Sequence, residues 1–303
     1  MKYESVAVAG GTGFVGKNLL KALKKEGLKK VKVLVRTEQK AEWAISEGFT
    51  PHLGDITKRE SLRGIFDETD VAVNLVGIIS ETREVSFYQA HVEGTFNLIQ
   101  EAKSSGVKLF FHQSALGASI ESPFKYPKTK AQAEEIVRTS GLPYIIFRPS
   151  LIIGKGDGFT KSLLELVKPM PAIPVPGDGK ARFQPLSIDD WVRCFLKAIN
   201  DDTFVGRVIE LGGPEHLSYN DILKIMMKVL GIKKPIVHLP KSIVKLSLPF
   251  NRMLSFLGAN IPSVSAEQIE LLQVDNITDP GSIEKIFGFK PMKFEDTLRK
   301  ALS

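Results

Sequence analysis

The sequence has little of what secreted and membrane proteins need. Its single cysteine, Cys194, excludes an internal disulfide and favours a reducing compartment. No uninterrupted apolar run approaches the ~20 residues that a membrane span requires. The N-terminal residues lead directly into an apolar segment and carry no signal-peptide pattern. We therefore expect a cytoplasmic protein.

Basic clusters are also lacking, although the chain is basic overall. Its 303 residues carry a formal net charge of +7, but lysine and arginine are interleaved with glutamate and aspartate. Such a distribution is typical of a solvated surface, so we expect no nucleic-acid partner. We also expect no metal site. The length and the 43% hydrophobic content allow a large core or two lobes.

Short apolar runs alternate with helical patterns over the first half of the chain. Strands are predicted at Val6–Ala9, Val31–Val35, 50–53, and from Val71, Leu109 and Tyr144, and helices at Gly13–Lys25, Lys40–Glu47, Val85–Ser104 and Pro127–Ser140. This order implies parallel strands with right-handed crossovers, and strands that are apolar throughout are typical of a sheet covered on both faces. The fold class predicted is α/β, with a doubly wound parallel sheet.

Three glycines, spaced three apart in GGTGFVG, follow the first strand and open the first helix. The first permits a tight turn, the second lets a pyrophosphate approach the backbone, and the third lets the helix pack closely. N–H groups at the helix start then hold the phosphates. This pattern predicts a dinucleotide site. The residues expected there are Gly10, Thr12, Gly13, Phe14, Val15 and Gly16.

The residue after the second strand bears on which dinucleotide binds. NAD-binding folds usually carry an acid there for the ribose hydroxyl, whereas this chain has Arg36 and no acid until Glu38. A guanidinium pairs with a 2′-phosphate, so the sequence favours NADP(H) over NAD(H), with a plain surface arginine as the alternative. Asp55, after the third strand, either accepts from the adenine amino group or caps the next helix.

Several motifs together resemble the short-chain dehydrogenase/reductase superfamily. They are GGTGFVG, GDIT, NLVG, a serine after the fifth strand, and YPKTK, with LSIDDWV and VIELGGPEHLSYNDIL in the second half. The chain is most similar to the atypical group that contains the NADPH-binding accessory subunit of respiratory complex I and its bacterial relatives. The resemblance implies a Rossmann domain at 1–150 and a smaller, interleaved substrate lobe at 151–303. It implies a strand near 208–211 that returns to the sheet, and cofactor contacts from Ile56, Val76 and Gly77.

The candidate catalytic residues are Tyr126 and Lys130, which are four apart and share one helix face. The ammonium stabilises phenolate, so we expect Lys130 to lower the pKa of Tyr126 toward neutrality. A tyrosine so tuned exchanges a proton with a carbonyl oxygen while hydride moves. By the resemblance, Lys130 also binds the nicotinamide ribose and Ser114 holds the substrate oxygen.

Two departures from the family pattern leave a competent and a degenerate site both open. Pro127 follows Tyr126 directly and is expected to push the tyrosine out of the helical conformation. His91, in YQAHVEGTFN, stands where family enzymes often have asparagine.

The second half adds an ordered Pro- and Gly-rich loop over 168–185 and a less typical segment at Lys241–Pro262. That segment is apolar with sparse cations, and Pro249 interrupts it. It predicts either a core or lid helix pair, or an amphipathic surface for a membrane or a partner subunit.

Three functions therefore remain open. The favoured one is an NADP(H)-dependent oxidoreductase, epimerase or dehydratase acting on a small carbonyl or hydroxyl substrate. The second is a non-catalytic NADP(H)-binding subunit of a respiratory complex of the NADH:quinone oxidoreductase type, with peripheral membrane contact. The third is a redox-sensing regulator. The sequence leaves the oligomeric state open.

Overall fold

The computed structural model describes residues 2–240, 242 and 265–303, and these fall into two compact units. The first unit comprises residues up to 149 together with 191–210. The second comprises 150–190 and the described residues from 211 onward. The segment Lys241–Pro262 lies outside the described residues apart from Ser242.

The strands are short and spread along the chain. They are β1 (Ser5–Ala9), β2 (Lys30–Val35), β3 (Thr50–Leu53), β4 (Val71–Asn74), β5 (Leu109–Gln113), β6 (Tyr144–Pro149), β7 (Ile152–Ile153), β8 (Ile173–Pro176), β9 (Arg182–Phe183), β10 (Leu186–Ser187), β11 (Arg207–Leu211), β12 (Leu217–Ser218) and β13 (Ile236–Leu239).

The helices alternate with these strands through the first unit. They are α1 (Phe14–Lys25), α2 (Glu38–Ser46), α3 (Gly94–Ser104), α4 (Lys125–Arg138), α5 (Gly158–Val167), α6 (Ile188–Ile199), α7 (Tyr219–Leu230), α8 (Ala266–Leu271), α9 (Ser282–Phe287) and α10 (Phe294–Leu302). Short 3₁₀ turns occupy Arg59–Leu62 and Asp202–Phe204, and a π-helical segment, Tyr88–Glu93, leads into α3. Within the described part of the chain, no helix has the length and apolar character to span a bilayer.

A seven-stranded parallel sheet forms the centre of the first unit, in the order β11-β6-β5-β4-β1-β2-β3. The predicted doubly wound fold is confirmed. All five residues of β1 are buried, because helices cover both faces of the sheet. The strand order reverses between β1 and its neighbours β2 and β4. Such a reversal opens a crevice at the carboxyl ends of the strands, where open α/β sheets bind ligands.

Local structure departs from the sequence prediction at the helix before α3 and in the loop expected over 168–185. The helix expected at Val85–Ser104 begins with the π-helical segment, whose wider turn is a common device at functional sites. The loop expected over 168–185 contains a strand, β8, paired in parallel with β13. The loop prediction is wrong there because Ile173 and Val175, alternating along β8, are buried in the core of the second unit.

Candidate dinucleotide and catalytic site

The first and third glycines of the motif are required by the protein's own packing. Gly10 has φ +88°, and a Cβ on it would lie 2.9 Å from the carbonyl carbon of Leu75. A Cβ on Gly16 would overlap the carbonyl oxygen of Gly10 and the backbone of Gly11. The glycines thus allow the turn after β1 to approach both the end of β4 and the start of α1, as their spacing predicts.

Gly13 differs, because a Cβ on it would find open space. The nearest described atom would be the Gly10 carbonyl oxygen, at 3.3 Å. It is exposed and forms the N-cap of α1. Among the described residues, no side chain caps this helix and no acid occupies its first turn. The half-buried Thr12, Phe14 and Val15 flank it. An uncapped helix start with open space beside it fits a pyrophosphate group.

Arg36 and Asp55 follow β2 and β3 at the same edge of the sheet. Arg36 is exposed directly after β2, and Thr37 then caps α2. Asp55 Oδ1 accepts hydrogen bonds from the Thr57 backbone N–H and hydroxyl, both at 2.9 Å. These bonds form an Asx turn and do not cap the next helical turn, Arg59–Leu62, whose N-cap is Lys58 and which no described side chain caps, so the predicted capping role is wrong. An adenine contact by Asp55 and a phosphate contact by Arg36 stay predictions. The next residue, Ile56, is buried against Gly94.

A buried polar cluster at the end of β4 holds the loop that contains Val76 and Gly77. Asn74 Oδ1 accepts from the Val76 backbone N–H at 3.0 Å. Asn74 Nδ2 lies 3.1 Å from Thr95 Oγ1 and 3.3 Å from His112 Nδ1. Sequence reasoning predicted none of these hydrogen bonds. It did single out the motif NLVG, which contains Asn74 and Val76, and the run VAVN ends in a polar residue.

Tyr126 lies inside the first turn of α4, whose N-cap is Phe124. The expectation that Pro127 would push it out of the helix is wrong. The first-turn N–H groups of a helix have no helical acceptor, so a proline there removes no hydrogen bond. Tyr126 and Lys130 therefore share a helix face, as their spacing predicts.

Lys130 is buried, with 3% of its surface exposed, and its Nζ donates to the backbone carbonyl of Gln113 at 2.6 Å. Burial lowers its pKa to about 8, and the Glu134 carboxylate opposes that shift. A Cβ on Gly77 would lie 3.9 Å from both Lys130 Nζ and His91 Nε2. The amine and the imidazole therefore both lie beside the Gly77 backbone.

The Tyr126 ring packs against two aromatic side chains, Phe87, which is the N-cap of the π-helical segment, and His91 within that segment. Its centroid lies 5.7 Å from Phe87 and 5.6 Å from His91, both edge-on. Burial raises the pKa of Tyr126 to about 12. The expected lowering by Lys130 is wrong for this structure, because desolvation of the phenolate dominates.

Ser114 follows β5 directly and is 4% exposed. Its backbone N–H donates to the Phe147 carbonyl at 2.7 Å, which fixes the residue at the strand end. Within the described residues, Ser114 Oγ has no hydrogen-bond partner, nor do Gln113 Oε1 and His112 Nε2. A buried hydroxyl without a partner is costly and rare, and it often marks a ligand site.

The fold is similar to the crystal structure of the NADPH-dependent quinone oxidoreductase QOR2 from Escherichia coli complexed with NADPH. The TM-score is 0.77 at 18% identity, covering 98% of this chain and 100% of that one. At this identity the likeness concerns the fold alone.

Two curated relatives align over most of the chain. Subunit 9 of the NADH dehydrogenase (ubiquinone) 1 alpha subcomplex, a mitochondrial protein of Arabidopsis thaliana, is 28% identical over 91% of this chain and 71% of its own length. The ceramide reductase of Caulobacter vibrioides is 26% identical over 78% of this chain and 73% of its own length.

The model of the NAD dependent epimerase/dehydratase family matches residues 6–212, well over half of the sequence. The matched region contains the glycine turn, the ends of β4 and β5, and α4. By this match the chain belongs to the NAD-dependent epimerase/dehydratase family, whose members bind NAD(P).

Proposed function

We propose that the protein is an NADP(H)-dependent reductase that converts a small carbonyl substrate to its alcohol. The observation that carries this proposal is the buried, unpartnered hydroxyl of Ser114. It follows the strand whose Gln113 carbonyl holds Lys130, and Tyr126 lies one helical turn before that lysine. This arrangement supports a shared role for serine, tyrosine and lysine, with the Ser114 hydroxyl available to a substrate oxygen.

The cofactor would be held along the carboxyl edge of the sheet. The helix start at Gly13 would bind the pyrophosphate, and Arg36 would bind the 2′-phosphate. Lys130 would bind the nicotinamide ribose beside the backbone of Val76 and Gly77. The reduced nicotinamide supplies the hydride when it is bound.

In this proposal Tyr126 acts as a general acid. With a pKa of about 12 its phenol is protonated at neutral pH, so it donates its proton to the carbonyl oxygen as the carbonyl carbon accepts hydride. Ser114 Oγ–H donates to the same oxygen and positions it. The ammonium of Lys130 stabilises the phenolate that is left, which then regains a proton from solvent. The products are the alcohol and the oxidised nucleotide.

Reduction is favoured over epimerisation or dehydration by the names of similar proteins. A ceramide reductase aligns with 78% of the chain, and a ketoreductase of Stigmatella aurantiaca aligns with 53% of it at 30% identity. We carry the reaction type from them to this chain, and leave their substrates to the experiment.

The test measures NADPH oxidation by the purified protein with ketones, quinones and nucleotide sugars. For an accepted substrate, Tyr126→Phe should cut turnover by roughly 10²-fold while NADPH affinity stays within about twofold. The matched control is Tyr88→Phe, an exposed tyrosine on the π-helical segment. Undiminished turnover in Tyr126→Phe would overturn the assignment of the acid.

A second candidate is a non-catalytic NADP(H)-binding subunit of a respiratory complex. It is favoured by the 91% of the chain that aligns with the plant complex subunit. In this case the purified protein would retain NADPH, and none of the substrates above would oxidise it. Retention without oxidation across the whole panel would move the proposal to this candidate.

A further inference from the structure

His91 is a buried histidine for which the proposed reaction has no role. It lies on the π-helical segment and is 1% exposed. Its ring stacks on Phe87 at a centroid distance of 5.5 Å and meets Tyr126 edge-on. Both ring nitrogens have polar contacts, one to the loop after β4 and one to α4.

These two contacts define one tautomer of the imidazole. Nε2 accepts the Ile78 backbone N–H at 3.2 Å, so it carries no proton. Nδ1 lies 2.9 Å from Thr129 Oγ1, whose own proton is directed to the carbonyls of Lys125 and Tyr126 at 2.9 and 3.1 Å. Thr129 therefore accepts from Nδ1–H. Burial and the neighbouring Lys130 lower the pKa of His91 to about 3, which keeps the ring neutral.

The neutral imidazole thus links two parts of the proposed site. One arm holds Ile78, next to Gly77, in the loop that would contact the nicotinamide ribose. The other arm, through Thr129, holds the first turn of α4, which carries Tyr126. An imidazolium would lose the first arm, since a protonated Nε2 cannot accept a hydrogen bond.

We propose that His91 is a positioning residue that sets the cofactor loop and the Tyr126 turn in register with each other. The inference rests on the proposed reduction for its effect on turnover. Its structural content, the two-armed link, is independent of turnover. Small displacements of positioned groups cost rate steeply, on the order of 10²-fold per ångström.

Two substitutions separate the arms. An asparagine amide reaches only as far as Nδ1, so His91→Asn can keep the bond to Thr129 while it loses the bond to Ile78. A glutamine amide oxygen reaches the place of Nε2, so His91→Gln can keep Ile78 and lose Thr129. His91→Phe removes both arms and retains a ring against Phe87 and Tyr126.

The first readout needs no substrate. Hydrogen exchange at the Ile78 amide and calorimetric NADPH affinity should be near parental in His91→Gln. In His91→Asn and His91→Phe, exchange should accelerate and NADPH affinity should fall about fivefold or more. Nitrogen-15 spectra of the parent at pH 6 should show Nδ1 protonated and Nε2 unprotonated. A parental exchange rate in His91→Phe, or a protonated Nε2, would overturn the link.

The second readout is the division between kcat and NADPH affinity on an accepted substrate. His91→Gln should lower kcat roughly 10-fold at nearly parental affinity, because the Tyr126 turn alone is released. A general loss of stability would instead lower both quantities in both variants, and that parallel loss would contradict a positioning role. If none of the tested substrates supports NADPH oxidation by the parent, the proposed reduction is wrong. The first readout still tests the link made by His91, because it needs no substrate.

Discussion

Glu134 on α4 and Arg148 on β6 form a two-point salt bridge one helical turn beyond Lys130. Arg148 Nε donates to Glu134 Oε1 at 2.8 Å and Nη2 donates to Oε2 at 2.7 Å. The Glu134 side chain is only 3% exposed. Arg148 also lies 3.7 Å from Glu210 on β11. The pair therefore joins the candidate catalytic helix to the sheet through a buried, fully engaged carboxylate.

Removing the arginine should leave that carboxylate buried without its partner. We expect Arg148→Met to lower the free energy of unfolding by about 3 kcal/mol in urea titrations. The control is Arg138→Met on the same helix, whose pair with Glu135 is exposed and 3.9 Å long, and it should cost less than about 0.5 kcal/mol. Equal small losses in the two variants would contradict a structural role for the buried pair.

Two glycines of the same motif should respond differently to substitution. Gly13 has φ −77° and ψ 176°, which any residue adopts, so Gly13→Val should fold and lose NADPH binding in calorimetry. Gly16→Ala should lower thermal stability, since its Cβ overlaps the Gly10 carbonyl oxygen. A folded Gly13→Val variant that binds NADPH like the parent would refute the pyrophosphate site.

Cofactor choice should depend on Arg36. We predict that NADPH binds at least ~10-fold tighter than NADH, about 1.4 kcal/mol, and that Arg36→Asp reverses the order. Lys103→Asp, an equal charge change at the exposed end of α3, should leave the ratio unchanged. Equal affinity of the parent for the two nucleotides would count against the assignment.

The pKa of Lys130 predicts an alkaline decline in turnover. A pKa of about 8 means that the ammonium is lost as pH rises through 8, together with its stabilisation of the phenolate. We expect kcat/KM on an accepted substrate to fall above about pH 8. Lys130→Arg keeps its charge at high pH, so whatever activity it retains should not show this decline. A flat profile to pH 10 in the parent would contradict a charged-lysine requirement.

The neutral His91 predicts acid sensitivity of the fold. Its folded pKa of about 3 lies below the unfolded value of about 6.5, so the unfolded chain binds the extra proton between these values. Stability is therefore complete above about pH 6.5 and falls as pH drops toward 3. Lowering the pH from 8 to 5 should reduce the contribution of His91 to the free energy of unfolding by about 2 kcal/mol. The free energy of unfolding of His91→Phe should fall correspondingly less over that range, and an identical fall would refute the neutral ring.

Sequence alone predicted the parts that depend on local pattern. Apolar runs alternating with helical periodicity gave the parallel sheet, because buried strands and amphipathic helices differ in spacing along the chain. Glycine spacing predicted the turn after β1, and for Gly16 the steric demand is local, because its Cβ would overlap Gly10 and Gly11. The order of strands also predicted that Ser114 directly follows the fifth strand, β5.

Tertiary structure decided the rest, because buried polar groups take their partners from distant parts of the chain. Asn74 meets His112 and His91 meets Thr129, each pair 38 residues apart, and no local pattern specifies either bond. The pKa of Tyr126 depends on how deeply its ring is buried, and spacing to Lys130 carries no information on that. Sequence thus determined where the backbone turns and which groups reach the sheet edge. Packing determined which of these groups are neutral, which are paired, and which have no described partner in the protein and are available to a ligand.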